Sequence, residues 1–314
     1  MLKKVAAFFK LIRYKNLFFI VLAQCLLQFC IIQPLYYEVN LVPAIDGLHF
    51  VLIVIASICI AAAGNVINDY FDINIDLINK PNKLVVNKII SRRWVIFWHL
   101  ALNLIGLVCT MYVSLKIGMS SLFIANAVCV LLLFIYSASL KKRLLWGNIL
   151  VSLLTAWVLM ILIIPEYNFF TKQSIEQSAA NEKMLRLGIL YAGFSFIISL
   201  VREVVKDVED FEGDVKYGCK TMPIVWGINA SKIFAGIFII ILAIILLLIQ
   251  IYVVRFGWWV SICYCIIFVI TPLFIVFKKL LIAQSKDDFG KLSNYIKLVM
   301  LTGILSMIFI KWYH

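Results

Sequence analysis

The sequence predicts an all-α polytopic membrane protein, with nine transmembrane helices around a central cavity. Three observations predict it. First, 64% of the 314 residues are hydrophobic and the mean hydropathy is +1.03. Soluble globular domains run at about half apolar. Second, the apolar residues fall into nine runs, each near the ~20 residues a helix needs to cross a bilayer. Third, the basic residues gather in alternate links between the runs, as they do in a chain that passes back and forth through a membrane.

The runs lie at 17–37, 48–68, 94–113, 119–138, 146–164, 185–205, 230–253, 257–277 and 293–312. Before the first sit Lys3, Lys4, Lys10, Arg13 and Lys15. No short apolar core with a small-residue cleavage site follows, so no cleaved signal peptide is expected. The second-to-third link carries Lys80, Lys83, Lys88, Arg92 and Arg93. Lys141, Lys142 and Arg143 lie between runs four and five, and Lys206, Lys216 and Lys220 between six and seven. Lys278, Lys279, Lys286 and Lys291 lie between eight and nine. The other links are nearly free of cations. The positive-inside rule therefore places the N-terminus on the cytoplasmic side, and nine crossings place the C-terminus outside. The whole chain, 1–314, reads as one membrane-embedded domain: two four-helix-like halves plus a final helix.

Composition also excludes function classes. A formal net charge of +13 is explained by basic cytoplasmic loops, and no nucleic-acid-binding motif is visible. Of the eight cysteines, all but Cys219 lie in apolar runs and none forms a CxxC pair. They read as small buried hydrophobes. The histidines, His49, His99 and His314, are scattered, which argues against a zinc site. The link from Pro165 to Lys183 reads as a polar surface loop without a motif. The C-terminal third reads as scaffold and lipid-facing wall.

Two acidic stretches carry the chemistry. Asn68, Asp72 and Asp76 follow the second run at a stride of four, so a helix would stack them on one face. Arg202, Lys206, Asp210 and Asp214 repeat that stride after the sixth run. Carboxylates at a helix C-terminus face the negative end of its dipole and are disfavoured there without a cation. Acids beside lipid are costly unless they serve a function. The alternatives are a solvated helix end for the first stretch and an i,i+4 salt-bridge face for the second. A calcium loop is excluded: its glycine and glutamate positions would hold Leu77 and Lys83.

Parity links the two stretches. Four runs separate them, so both return to one face and can meet across one cavity, on the cytoplasmic side. Mg²⁺ takes oxygen ligands, usually one or two carboxylates plus phosphate oxygens. The expectation is therefore Mg²⁺ held by Asn68, Asp72, Asp76, Asp210 and Asp214, with diphosphate between. Lys80, Lys83, Lys141, Lys142, Arg143 and Lys206 are the cations placed to neutralise that diphosphate. Gly213 and Gly218 mark where the second motif's helix is expected to break.

These residues resemble the UbiA superfamily of intramembrane prenyltransferases. Asn68 to Asp76 fits its NDxxDxxxD pattern, and Lys80-Pro81-Asn82-Lys83 resembles the basic stretch that follows. Tyr136-Ser137 with Leu140-Lys141-Lys142-Arg143 resembles its tyrosine-and-basic segment. Asp210 and Asp214 fit the second DxxxD pattern, and Arg13 and Asn16 resemble the RPxN element, with Tyr14 in the proline's place. The segment 202–214 looks most like the geranylgeranylglycerol-phosphate geranylgeranyltransferase branch. The resemblance implies a Mg²⁺-dependent enzyme that transfers a prenyl group from a geranylgeranyl-type diphosphate to a lipophilic acceptor, with a glycerol-phosphate lipid hydroxyl forming an ether. Asp72, Asp76, Asp210 and Asp214 would be catalytic, and Arg13, Asn16 and Tyr136 would contact the acceptor. An aromatic quinone precursor, chlorophyllide or haem is the alternative acceptor on the same fold. A non-catalytic lipid-diphosphate binder or transporter is the alternative of another class, although acids clustered at helix ends suit it less than acids at mid-span would.

Overall fold

A computed structural model describes residues 2–79, 85–170 and 175–313. In chain order its helices are α1 (Leu2–Leu11), α2 (Tyr14–Tyr37), α3 (Gly47–Phe71), α4 (Ile73–Asn79), α5 (Arg92–Ile117), α6 (Ser120–Ala138) and α7 (Trp146–Phe170). They continue with α8 (Ile175–Glu209), α9 (Phe211–Lys216), α10 (Met222–Val225), α11 (Ile228–Val254), α12 (Trp259–Ile282) and α13 (Lys286–Trp312). Among the described residues nine helices are long and apolar enough to cross a membrane, matching the nine runs of the sequence. In hydrocarbon every backbone amide needs an internal partner, and these Leu-, Ile- and Val-rich runs supply one as helices.

The bundle is organised around α8, which packs against α7, α11 and α13, while α3 packs against α5 and α6. Along α11, Ala235, Ile239, Leu242 and Ala243 are buried, and Ile233, Ile237, Ile244, Leu248 and Ile251 turn outward. The inward alanines allow close helix approach, and the outward large aliphatics suit a lipid-facing surface.

Two spans are bent. Residues Gln28–Ile32 of α2 and Ile266–Ile270 of α12 form π-turns, and each helix then resumes with a proline, Pro34 or Pro272, in its first turn. Proline donates no backbone hydrogen bond, and the widened turn before it absorbs the missing link.

The 165–183 segment differs from its sequence expectation. It is largely helical: α7 runs through Pro165 to Phe170, and α8 starts at Ile175. Glu166 is fully buried there and accepts hydrogen bonds from the backbone N–H groups of Ala44 (2.9 Å) and Ile45 (2.6 Å). A polar composition read as a loop is in fact a helix end that pins the α2–α3 connection.

The connections sort onto two ends. At one end, the Lys220 N–H donates to the Lys142 carbonyl and the Lys286 ammonium to the Asn79 carbonyl, while the Asn65 amide donates to the Ile12 carbonyl. At the other, Glu166 holds the Ala44–Ile45 turn and Trp258 stacks on Tyr313, 5.1 Å between ring centroids. The even parity read from the sequence is thus realised: both acidic motifs lie at the first end.

Candidate active site

Each acidic motif sits on a broken helix. At Asp72 the backbone turns (φ −89°, ψ −1°), and α4 resumes one residue later. The chain still keeps the stride of four, because the Asp72 N–H donates to the Asn68 carbonyl and the Asp76 N–H to the Asp72 carbonyl. Asp210 repeats this geometry (φ −94°, ψ 7°) between α8 and α9. The sequence expectation of a break at Gly213 is corrected: the break falls at Asp210, and Gly213 is buried inside α9. Gly218, at φ 67°, does lie in the left-handed turn just beyond α9.

Both motifs line one cavity of about 1130 Å³. Its walls include Asn68, Asp72, Asp76, Asp210 and Asp214, together with Arg13, Asn16, Tyr136, Lys141 and Lys206. Lys142 and Arg143 are not among its lining residues, and Arg143 is exposed. Those two neighbours of Lys141 therefore do not reach the place the sequence expectation assigned them, because the short turn Leu140–Lys142 aims only Lys141 inward. Lys80 and Lys83 lie outside the described residues.

A second, mostly apolar cavity of about 280 Å³ adjoins the first. Leu133, Leu154, Val158, Phe194 and Ile304 line it. The two cavities share Arg13, Asn16, Asn68, Tyr136, Arg202, Glu203, Lys206 and Lys297 as their common wall. The arrangement is a charged vestibule opening onto a greasy slot.

Charges in the vestibule are paired locally. The Lys141 ammonium contacts the Asp72 carboxylate, and the Asn68 amide donates to the same Asp72 oxygen at 2.8 Å. Arg13 binds Asp69 at 2.7 Å. The Asp69 carboxylate raises the Arg13 pKa, so this guanidinium stays charged at any working pH. Glu203 accepts from Arg202 at 3.0 Å and from Lys206 at 2.8 Å. Lys206 therefore turns back toward Glu203 as well as lining the cavity. Asp207 accepts from Asn148 at 2.8 Å.

The donor set fits magnesium. Asp72 Oδ1 is buried without a hydrogen-bond partner among the described residues. Among those residues no three His, Cys, Asp or Glu side chains come together as a metal cage. An ion here would have one or two carboxylates and complete its shell with phosphate oxygens and water, which is the coordination Mg²⁺ favours.

Sequence reasoning missed three members of this site. Glu203 lies between two cations of the singled-out stripe. Asn79 lies beside the first motif and carries no charge to announce it. Lys297 did carry a signal, being a cation inside the ninth apolar run, whose other cation, Lys311, lies at the run's end.

A helical bundle with two acidic helix ends facing one vestibule, above an apolar slot, defines an intramembrane enzyme for amphiphilic diphosphates. The chain belongs to the UbiA prenyltransferase family, whose profile matches residues 26–300. A digeranylgeranylglyceryl phosphate synthase of Methanosphaera stadtmanae is 32% identical over 259 residues, 81% of this chain and 86% of that protein. The enzyme of the same name from Pyrococcus horikoshii is 34% identical over 197 residues, 63% of each chain. Among solved structures, one described as digeranylgeranylglyceryl phosphate synthase superposes with a TM-score of 0.57 at 25% identity, covering 98% of this chain and 99% of the other. A UbiA homologue from Archaeoglobus fulgidus, described as bound to GPP and Mg²⁺, shares the fold with a TM-score of 0.55 at 16% identity, covering 96% of this chain and 99% of the other. The protein is an integral membrane prenyltransferase, as the family and the nine spans show.

Proposed function

We propose that this enzyme transfers a geranylgeranyl-type group from its diphosphate to the free hydroxyl of a glycerol-phosphate lipid, making an ether and releasing diphosphate. The observation that carries this reading is the shared cavity: Asp72 and Asp210, on helix ends 138 residues apart (210 − 72), line one vestibule continuous with an apolar slot. The names of the relatives support the acceptor class.

In the reaction the allylic C1–O bond to diphosphate breaks, a C1–O bond to the acceptor hydroxyl forms, and the hydroxyl proton is released. Asn68, Asp72, Asp76, Asp210 and Asp214 would hold Mg²⁺, with one or two of these carboxylates on any one ion. The chemistry supplied by the bound ion is neutralisation of the charge that develops on the leaving diphosphate. Lys141 adds a cation at the same edge. The apolar walls around Leu133 and Phe194 hold the prenyl chain and keep water from the reactive carbon. Arg13, Asn16 and Tyr136 stand at the boundary of vestibule and slot, where an acceptor's polar end meets its tail. The motif end faces the cytoplasm in this proposal, with the C-terminus outside, and residues 1–314 act as a single domain.

The test supplies membranes with geranylgeranyl diphosphate and a glycerol-phosphate lipid and identifies the product by mass spectrometry. An ether-linked product that disappears with EDTA and in Asp72→Ala and Asp210→Ala is expected. Transfer to an aromatic carbon, or undiminished rates without Mg²⁺, would overturn the proposal.

A further inference from the structure

Four cations converge on the wall between the two cavities: Arg13 from the α1–α2 turn, Arg202 and Lys206 from α8, and Lys297 from the middle of α13. They lie up to 284 residues apart in sequence (297 − 13), so only the fold assembles them. Their charges do not cancel. Arg13 is neutralised by Asp69, whereas Glu203 must serve both Arg202 and Lys206. Lys297, which feels Arg202, Arg13 and Glu203, makes no hydrogen bond or ion pair among the described residues. Arg202 Nε is also buried without a partner there. Three cations thus share the one wall carboxylate, Glu203, with Glu209 the next acid acting on Arg202, and the wall keeps an excess of positive charge beside an apolar slot, a costly arrangement for a neutral ligand.

A phosphomonoester carries about −1.5 to −2 at neutral pH and accepts several strong hydrogen bonds. We infer that Arg202, Lys206 and Lys297 form a subsite for the acceptor's phosphate, separate from the carboxylates that face the donor's diphosphate. This inference rests on the proposed function and adds the group that is recognised. The vestibule then has two anion-handling regions of opposite design. Around Asp72, Asp76, Asp210 and Asp214 a metal must mediate contact with an anion. At Lys297 the protein meets an anion directly. A ring acceptor without phosphate would leave the wall's positive charge unmatched.

The experiment is steady-state kinetics on the purified full-length enzyme with Mg²⁺. Donor and acceptor are varied separately, and the glycerol-phosphate lipid is compared with its dephosphorylated alcohol. In Lys297→Met the acceptor KM rises about tenfold, the cost of one charge-assisted hydrogen bond. The donor KM stays put, the preference for the phosphorylated acceptor shrinks, and Lys297→Arg restores much of it. On the wild-type enzyme, short-chain glycerol phosphate inhibits competitively against the acceptor and not against the donor, a measurement that needs no variant. A rise in donor KM alone, an unchanged preference, or competition against the donor overturns the subsite. If the wild-type enzyme is active on the phosphorylated lipid but Lys297→Met keeps its preference, the subsite alone is wrong. If the wild-type enzyme uses no glycerol-phosphate lipid, the proposed function itself falls.

Discussion

The Asn79 side chain ties the two acidic motifs together through Gly213. Its Oδ1 accepts from the Gly213 N–H at 2.9 Å, and its Nδ2 donates to the Asp210 carbonyl at 2.9 Å. One amide at the end of the first motif thus satisfies two backbone groups at the break of the second. The approach is close because residue 213 has no side chain: a Cβ there would stand 2.6 Å from Asn79 Cγ.

Gly213→Ala is therefore expected to push the two motifs apart. Overpacking of this kind costs about 1–3 kcal/mol. Because the lost contact sets the spacing of the aspartates, the Mg²⁺ concentration for half-maximal rate rises along with the loss of stability. Asn79→Ala relieves the crowding but orphans the two backbone groups, so its Mg²⁺ curve moves the same way. Titrating the rate of each variant with Mg²⁺ checks this; curves that overlay the wild type would show that the staple does not position the site.

Lys141 is the one cation of the 141–143 run that reaches the vestibule, where its side chain is 19% exposed against 6% for Asp72. Removing one partner of a buried ion pair leaves the other uncompensated, at a cost of about 3–5 kcal/mol, less where water still reaches. Lys141→Met is expected to raise the donor KM at least about tenfold and to lower the melting temperature. Lys142→Met and Arg143→Met, whose side chains lie off the cavity, stay near wild type in both.

Cys219 lies in the connection after the second motif and is 4% exposed. Burial pushes its thiol up to about 11. The neutral thiol is the form the fold favours, so its contribution is complete below the ordinary thiol range and is lost as pH rises through about 11. Two outcomes follow. Maleimide at pH 8 leaves Cys219 unlabelled in the folded enzyme, as peptide mass mapping would reveal. Above pH 9 the melting temperature of the wild type falls more steeply than that of Cys219→Ala.

Glu166 anchors the opposite end of the bundle. Glu166→Leu would leave the buried Ile45 N–H unbonded, at about 1–3 kcal/mol, and the half-buried Ala44 N–H unbonded at a smaller cost. A lower melting temperature with little change in KM for either substrate is expected, since the residue is remote from the vestibule. A selective loss of acceptor affinity would contradict that assignment.

The acidic stride at Asn68, Asp72 and Asp76, its echo at Asp210 and Asp214, and the nine apolar runs were all legible along the chain. The first two are local patterns, and the third is a demand the bilayer makes on every span. Parity even placed both motifs at one end, because crossings can be counted without knowing the packing. The helix breaks at Asp72 and Asp210 were not legible, since no glycine or proline marks them.

The amino-acid sequence by itself determined the class of fold, that the two motifs meet at one end of the bundle, and the residues that carry the acids. Tertiary structure alone decided that Lys141 enters the vestibule while Arg143 faces away, that Asn79 bridges to Gly213, and that Lys297 joins Arg202 and Lys206. The reason is physical. Periodicity and crossing number are properties of neighbours in sequence, whereas the direction of a side chain at a turn and the meeting of distant helices depend on packing contacts that no local pattern encodes.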